Sequence, residues 1–487
     1  MSACPGRLYA RSSLCEEIVS SAVADGVELR TVARQAYADS PNRSPWIAQL
    51  AADGPAEPLT ADAAVDVVIV GAGIAGVATA FSALRLIPGS VLLLERYRVG
   101  RGASGHNAGQ LTTYFERPLC DIAAEFGSSL AGQAQRAIED AHGLLDTMVS
   151  ETGATVRVER FPGRLGMFNL HHLDIHLRSQ LVRRDEGLQR YECVVSEDAE
   201  FLPELSDVFA GLYSVVPQAE IHELLEVDDE RYRAVLSAPA GCSNSGLLCQ
   251  QALAYLRSAH PGRFGYADQT RVDRVVVDDE LVIVDAGGHR VRAGHVVLCT
   301  NGFVDYTVED TTGSPILLAP DQRITGRVAH MTAFAEDHPR QPASLSYIRN
   351  DLIGGDVPYV YITRRTYDRA DDTITLTCMG GPEYPTHEAY DHAALFPGEL
   401  LEAIDNEVRP FAQPERPSRR AYDYHWHGLM GYNDCGIRTV GPHPRYPSLL
   451  YNLGCNGVGF LPSIYGGNRT AQLLAGAQLG QSVFDPR

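Results

Sequence analysis

Residues 66–95 constrain this chain more than any other stretch. Val67, Val68, Ile69 and Val70 form a short apolar run of the kind that a strand buried on both faces requires, and Ile74 to Leu84 continue as small and apolar residues at helical spacing. Between them lies the turn Gly71-Ala72-Gly73-Ile74-Ala75-Gly76. Gly71 permits the tight turn, Gly73 lets the backbone approach a pyrophosphate, and Gly76 lets the helix pack close to the strand. The free N–H groups and positive end of the helix then face the phosphates. The next apolar run, Val91 to Leu94, ends in Glu95, 24 residues beyond Gly71 and near the spacing at which a carboxylate accepts both hydroxyls of an adenosine ribose. A 2′-phosphate is repelled there. A glycine triplet alone is often only a close-packed turn. Set between a buried strand and a small-residue helix, and followed by a strand ending in Glu, it reads as a dinucleotide-binding βαβ unit.

Composition narrows the partners. The 487 residues, 45% hydrophobic and 21% charged, suffice for two or three cores. A formal charge of −20 disfavours nucleic acid and anionic membrane, since neither polyanion is drawn to such a field. The sequence contains no Lys, so all 41 basic residues are Arg. Schiff-base chemistry on a lysine, and a lysine ammonium placed to activate a reactant, are excluded from this chain. The ten cysteines (Cys4, Cys15, Cys120, Cys193, Cys242, Cys249, Cys299, Cys378, Cys435 and Cys455) show no C-x-x-C and no metal-ligand spacing. They indicate a reduced, intracellular setting and no metal. The N-terminus has no basic and apolar leader pattern, and no run approaches the roughly 18 apolar residues of a membrane span. The expected protein is cytoplasmic and acts on a small molecule.

Residues 1–60 read as a helical extension and linker: Ser13 and Glu16 have capping-box spacing, and Ile18, Val19, Ala22 and Val23 supply the apolar stripe of a helix reaching about Arg34. Trp46, Ile47 and Leu50 are expected to pack on the main body. The first part of the nucleotide-binding domain spans 61–150. After Glu95 and Arg96 it carries a loop, Gly102-Ala103-Ser104-Gly105-His106-Asn107-Ala108-Gly109-Gln110, whose backbone is able to lie against a flat or anionic ligand. A short helix, Leu119 to Phe126, and a long one, Ser129 to Glu151, follow. A second domain is expected in two pieces, 151–235 and 311–420. In the first piece Val156 to Phe161 alternates as a strand with Gly163 to Asn169 as hairpin partner, followed by a helix over His172 to Gly187. Segment 236–310 returns to the first domain with a helix over Gly246 to Ser258, strands around Val272 and Leu281, and a buried strand ending in Thr300-Asn301-Gly302. Such strand ends are where open α/β sheets bind ligands. The closing segment, 421–487, holds the strand Leu449 to Leu453, the loop Asn456-Gly457-Val458-Gly459-Phe460 and a last helix starting near Gly466.

Taken in order, the turn with Glu95, the Gly102–Gln110 loop, the strand end at Gly302 and the Asn456–Phe460 loop resemble the FAD-dependent oxidoreductases of the D-amino-acid oxidase and sarcosine oxidase type (the DAO family). The overall look is nearest to γ-glutamylputrescine oxidase-like members, over about residues 62–480. The resemblance implies an α/β fold: a Rossmann-like FAD-binding domain interleaved with an α+β substrate domain on a mixed or antiparallel sheet. It implies FAD lying extended, with its pyrophosphate on Gly71 to Gly76, its ribose on Glu95 and its adenine against Val272. The isoalloxazine is then gripped by Ser104 to Gln110 and by Asn456 to Phe460, and the second domain roofs the substrate. An amine or amino acid binds neutral, loses a hydride from its α-carbon to flavin N5, and yields an imine that hydrolyses; no obligatory base is demanded. The chain departs from sarcosine oxidases in having Gln110 and Thr113 in the loop, Leu461 in the tail and no Lys, which puts a sarcosine-like substrate and oxygen as acceptor in doubt.

Several side chains stand out. His106 falls where some dimethylglycine dehydrogenase-like relatives carry a flavin-linked histidine; the competing reading is a His that only hydrogen-bonds the loop, with FAD held non-covalently. His427, of His425-Trp426-His427, lies near the position of the flavin-linked Cys of sarcosine oxidases, although H-x-H without a third ligand is more often simply part of a strand. Tyr359 and Tyr361 share one face of an expected strand and, with Arg364 and Arg365, are candidates for holding substrate; an ordinary half-buried strand is the competing reading. His106, His427 and Tyr361 are the catalytic candidates. Two other functions fit the same frame: a flavin dehydrogenase for a 2-hydroxy acid or alcohol, which wants a base near flavin N5, and a flavin-binding protein without turnover.

Overall fold

The computed structural model describes residues 39–278, 281–349, 359–369, 372–386, 389–412 and 422–487. The helix expected between Ser13 and Arg34 lies outside them. Val67–Val70, the most apolar end of the strand Ala63–Val70, is buried along its whole length. Its residues alternate between two cores. Val67 and Ile69 pack with the helices Ile74–Leu86, Ser128–Thr152, Ser245–Ala259 and Phe460–Leu474, while Val68 and Val70 pack against the strands Val272–Val277 and Val282–Ala286. Ala63–Val70 pairs in parallel with Val91–Leu94 on one side and His289–Leu298 on the other, and Phe264–Ala267 and Leu449–Leu453 extend the parallel part. The antiparallel ribbon Val272–Val277, Val282–Ala286, His289–Leu298 completes a nine-stranded mixed sheet together with Thr307–Asp310 and Thr439–Pro442.

A second, ten-stranded mixed sheet runs in the order Tyr424–Tyr432, Thr325–Ala335, Thr373–Thr386, Tyr359–Asp368, Ala343–Ile348, Val158–Met167, Ala234–Ser243, Glu192–Ser196, Ser214–Val216. The short strand Gln110–Thr112 joins it at Ala234–Ser243. The chain therefore crosses between the sheets repeatedly, and the Gly102–Gln110 loop is one of the crossings.

Two expectations change. Val156–Phe161 and Gly163–Asn169 do not form a hairpin: one continuous strand, Val158–Met167, passes through Pro162 and Gly163, which pair with Pro239 and Ala238 of the antiparallel neighbour. Proline is compatible with extended backbone, and a Cβ at Gly163 would sit only 2.8 Å from that of Ala240, so the Pro-Gly pair serves strand packing rather than a turn. The last helix begins at Phe460, not near Gly466. Gly466 and Gly467 lie inside it, where the backbone passes so close to the helix Ile74–Leu86 that a Cβ on Gly467 would be 2.7 Å from the Ala78 carbonyl carbon. Glycine here permits contact between two helices, which outweighs its poor helix propensity of about 1 kcal/mol.

Trp46 does pack on the body. Ser44 caps the short helix Pro45–Ala48, and Ser40 and Arg43 bridge to Phe396 and His425 of the second sheet's periphery. This stitching leaves the indole with 0% exposure.

Candidate active site

At the C-terminal ends of the parallel strands the chain opens into an elongated cavity, with about 200 Å³ available to the centres of water molecules. Its first end is built by the turn after Val70. Gly71 takes φ +100°, and a Cβ there would lie 2.9 Å from the Cys299 carbonyl oxygen; a Cβ on Gly76 would collide with the Gly71 carbonyl oxygen. Only glycine suits either position. Glu95 accepts from the backbone N–H of Ala72 at 2.7 Å and of Tyr97 at 2.9 Å. Burial raises its pKa, and the two backbone donors oppose the rise. Arg96 forms a two-pronged pair with Asp305, both bonds 2.8 Å, and Val272 and Thr300 continue the wall. Asn301, at φ +52°, accepts through Oδ1 from Gly431 N at 3.3 Å and Cys455 N at 3.0 Å, so one side chain ties this strand end to the second sheet and to the C-terminal loop.

The Gly102–Gln110 loop forms the middle of the cavity. Ser104 Oγ accepts from Ile74 N at 2.8 Å and so stands at the helix N-terminus. His106 Nδ1 lies 3.0 Å from the Gly102 carbonyl oxygen. A carbonyl only accepts, so Nδ1 carries the proton; burial brings the pKa to about 4, and the neutral ring keeps a lone pair on Nε2. Asn107 is the hub of the loop: its side chain donates to Ser245 Oγ at 2.8 Å and accepts from Gly109 N at 2.7 Å, and its carbonyl accepts from Trp46 Nε1 at 2.5 Å. The Arg365 guanidinium lies 3.8 Å over the Trp46 ring and donates to the Gly109 and Ser243 carbonyls. Opposite, Gly457, Val458, Gly459 and Phe460 form the second glycine-rich wall, leading into the N-terminus of the last helix. Asn456 lies behind this wall, bonded to Gly431 and Asn433, with its Nδ2 buried and without a partner among the described residues.

The far end lies under the second sheet. Tyr359 and Tyr361 both line it, with ring centroids 6.2 Å apart. Three other candidates stand elsewhere. Arg364 pairs with Glu226 at 2.6 and 3.0 Å, Arg365 props the loop from behind, and His427 is held between Tyr390, 2.9 Å from Nδ1, and the Ala394 carbonyl, 2.9 Å from Nε2. None of the three lines the cavity; nor do Ala72, Gly76, Gly302 and Asn456, which shape the backbone behind the wall.

The profile of the FAD dependent oxidoreductase family, DAO, matches residues 66–473. The chain belongs to this family. It is an FAD-dependent oxidoreductase with the fold of glycine oxidase from Geobacillus kaustophilus (TM-score 0.61, 18% identity, 87% of this chain and 98% of that one). L-proline dehydrogenase from P. horikoshii is similar to it as well (0.63, 15%, 88% and 97%). So is L-alpha-glycerophosphate oxidase from Mycoplasma pneumoniae with FAD bound (0.55, 13%, 86% and 97%). A comparison with curated proteins finds no match.

Sequence reasoning named Gln110, Tyr359 and Tyr361, which line the cavity of this oxidoreductase, and missed Thr112, Tyr114, Glu116 and Glu383, which line it as well. Gln110, Thr112, Tyr114 and Glu116 all line it, whereas Leu111, Thr113 and Phe115 do not. That is the period of an extended strand. The alternation was present in Gln110-Leu-Thr-Thr-Tyr-Phe-Glu116 as a signal. Glu383, on the strand Thr373–Thr386, reaches the same cavity and carried no local pattern. Among the described residues no helix is long and apolar enough to cross a membrane.

Proposed function

We propose that this FAD-dependent oxidoreductase oxidises the C–N bond of an amine or amino acid. The observation that carries the reading is the continuity of one cavity from the Gly71–Glu95 turn, between two glycine-rich walls, to the tyrosines beneath the second sheet. The residues suit an extended FAD: Gly71 and Gly73 leave room for a pyrophosphate at a helix N-terminus, where a Cβ on Gly73 would press to 3.0 Å from Ser104 Oγ, and Glu95 offers its carboxylate to a ribose. Held by these residues, FAD would supply the two-electron acceptor that the oxidation of a neutral amine needs, and water would then release the product as a carbonyl compound and an amine.

The protein's own contribution is placement. Asn107, Trp46 and Arg365 hold the Gly102–Gln110 loop, the last helix aims its positive end at the cavity, and Tyr359 and Tyr361 wall the substrate side. An alcohol or 2-hydroxy acid would need a base for its hydroxyl proton. His106, brought to a pKa of about 4 by burial, is a weak one. We further propose that FAD is held non-covalently, with His106 as a hydrogen-bonding loop residue, and that the protein works in the cytoplasm, in keeping with the free thiols of its described cysteines.

The test is an anaerobic screen of amines, amino acids and 2-hydroxy acids against the FAD-loaded protein. Bleaching of the flavin by an amine or amino acid supports the reading; bleaching by hydroxy acids alone overturns it.

A further inference from the structure

The far end of the cavity is anionic and aromatic at once. Glu116 lines it and accepts from the Tyr359 hydroxyl at 2.8 Å. Its other oxygen lies beside Gly457, 3.2 Å from where a Cβ would be, which sets the carboxylate on the C-terminal glycine wall. Among the described residues Glu116 makes no salt bridge, and Tyr359 is its sole hydrogen-bond donor. Burial accordingly holds its pKa above the usual carboxylate range. The second carboxylate, Glu383, is 5% exposed, accepts from the Tyr432 hydroxyl at 3.2 Å and has Arg327 at 3.4 Å. Arg327 lies over the Tyr432 ring and does not line the cavity. Of the arginines that line the cavity, Arg96 pairs with Asp305 and Arg271 with Asp273 and Asp305, whereas Arg438 donates to neutral oxygens alone, those of Asn452 and the Gly454 carbonyl.

A half-buried carboxylate without a cation, set beside tyrosine rings, is an arrangement that attracts an alkylammonium. The carboxylate supplies charge, and the rings supply cation–π attraction. A substrate carboxylate would meet the Glu116 charge there, and Arg364 and Arg365, which could have answered it, are turned away to Glu226 and to backbone carbonyls. We propose that this end is an ammonium cage in which Glu116 is the anionic floor and Tyr114, Tyr359 and Tyr361 are the walls. The preferred substrate is then an amine that carries a second, cationic nitrogen: one nitrogen is oxidised as the neutral amine and the other is held charged. This rests on the amine reading for the substrate class, while the cage itself is testable without turnover.

Two measurements on the FAD-loaded protein separate the two ideas. Calorimetry with tetramethylammonium, which has no oxidisable N–H, is compared with neutral tert-butanol of similar shape, in the wild type and in Glu116→Gln. The expected result is a preference for the cation of about tenfold or more in the wild type, lost in the variant. Equal binding of the two probes by the wild type, or cation binding unchanged in a folded, FAD-loaded Glu116→Gln, overturns the cage. Turnover with a dye acceptor is then compared for 1,6-diaminohexane, hexylamine and 6-aminohexanoate, with kcat/KM expected to fall in that order. Glu116-dependent cation binding with no oxidation of any amine keeps the cage and removes the amine reading. A better rate with 6-aminohexanoate than with the diamine overturns the substrate assignment.

Discussion

Replacing Trp46 by Phe isolates one contact that links the N-terminal segment to the loop lining the cavity. The indole has 0% exposure, and its Nε1–H donates at 2.5 Å to the Asn107 carbonyl, the hub of Gly102–Gln110. Phe keeps most of the apolar volume but removes the donor. Leaving that part-buried carbonyl without its donor costs about 1–3 kcal/mol. Phe is also a weaker platform than Trp for the Arg365 guanidinium 3.8 Å above the ring. The expected loss is about 2–3 kcal/mol, against about 3–5 kcal/mol for Trp46→Ala, which adds a cavity. Because Asn107 also positions Gly109 and Ser245, part of the loss is felt at the ligand, and the FAD dissociation constant rises by about tenfold, or about 1.4 kcal/mol. Denaturant unfolding of the FAD-loaded and FAD-free forms, with fluorescence titration of FAD, separates the two contributions. Unchanged FAD affinity with unchanged stability in Trp46→Phe would refute the view that the extension holds the loop.

Other perturbations test other parts. Gly76→Ala drives a Cβ into the Gly71 carbonyl oxygen, so the variant is expected to lose FAD binding by spectral titration or to fail to fold. In Glu95→Gln the carboxamide keeps one acceptor where the carboxylate now receives both Ala72 N and Tyr97 N, and FAD affinity is expected to drop about tenfold or more. Acid precipitation is expected to leave the yellow colour in the supernatant, since His106 is read as a hydrogen-bonding residue; colour in the pellet that disappears in His106→Asn marks a covalent bond. Glu116 has a raised pKa, so it is protonated as pH falls through that raised value and ionised above it. Binding of tetramethylammonium, whose own charge does not titrate, therefore strengthens as pH rises through the Glu116 pKa and weakens in acid, which calorimetry across pH measures.

Legibility in the sequence followed locality. Gly71 to Glu95 was readable because a turn, a helix start and a strand end are made by neighbours in the chain, each with a residue type that geometry demands. The same holds for Gly102–Gln110 and Asn456–Phe460. Arg364 and Arg365 were misleading because an arginine next to a tyrosine strand looks free until its distant partners are seen: Glu226, 138 positions away, for Arg364, and the Trp46 ring with the Gly109 and Ser243 carbonyls for Arg365. Glu383 and Trp46 were unreadable as site residues for the same reason: one reaches the cavity, the other braces it, through contacts that only the interleaving of the two sheets creates. Gly467 shows a further limit, since a glycine that serves helix–helix contact looks in sequence like one that starts or ends a helix.

The central claim, a flavin-dependent amine oxidation in the cavity between the two sheets, is tested most directly by anaerobic stopped-flow. The FAD-loaded protein is mixed with 1,6-diaminohexane and flavin absorbance is followed, with the α-deuterated amine as comparison. The account predicts bleaching to the two-electron-reduced flavin and a slower rate with deuterium on the carbon that gives up the hydride. A flavin that stays oxidised with every amine and amino acid, but bleaches with a 2-hydroxy acid, would contradict it.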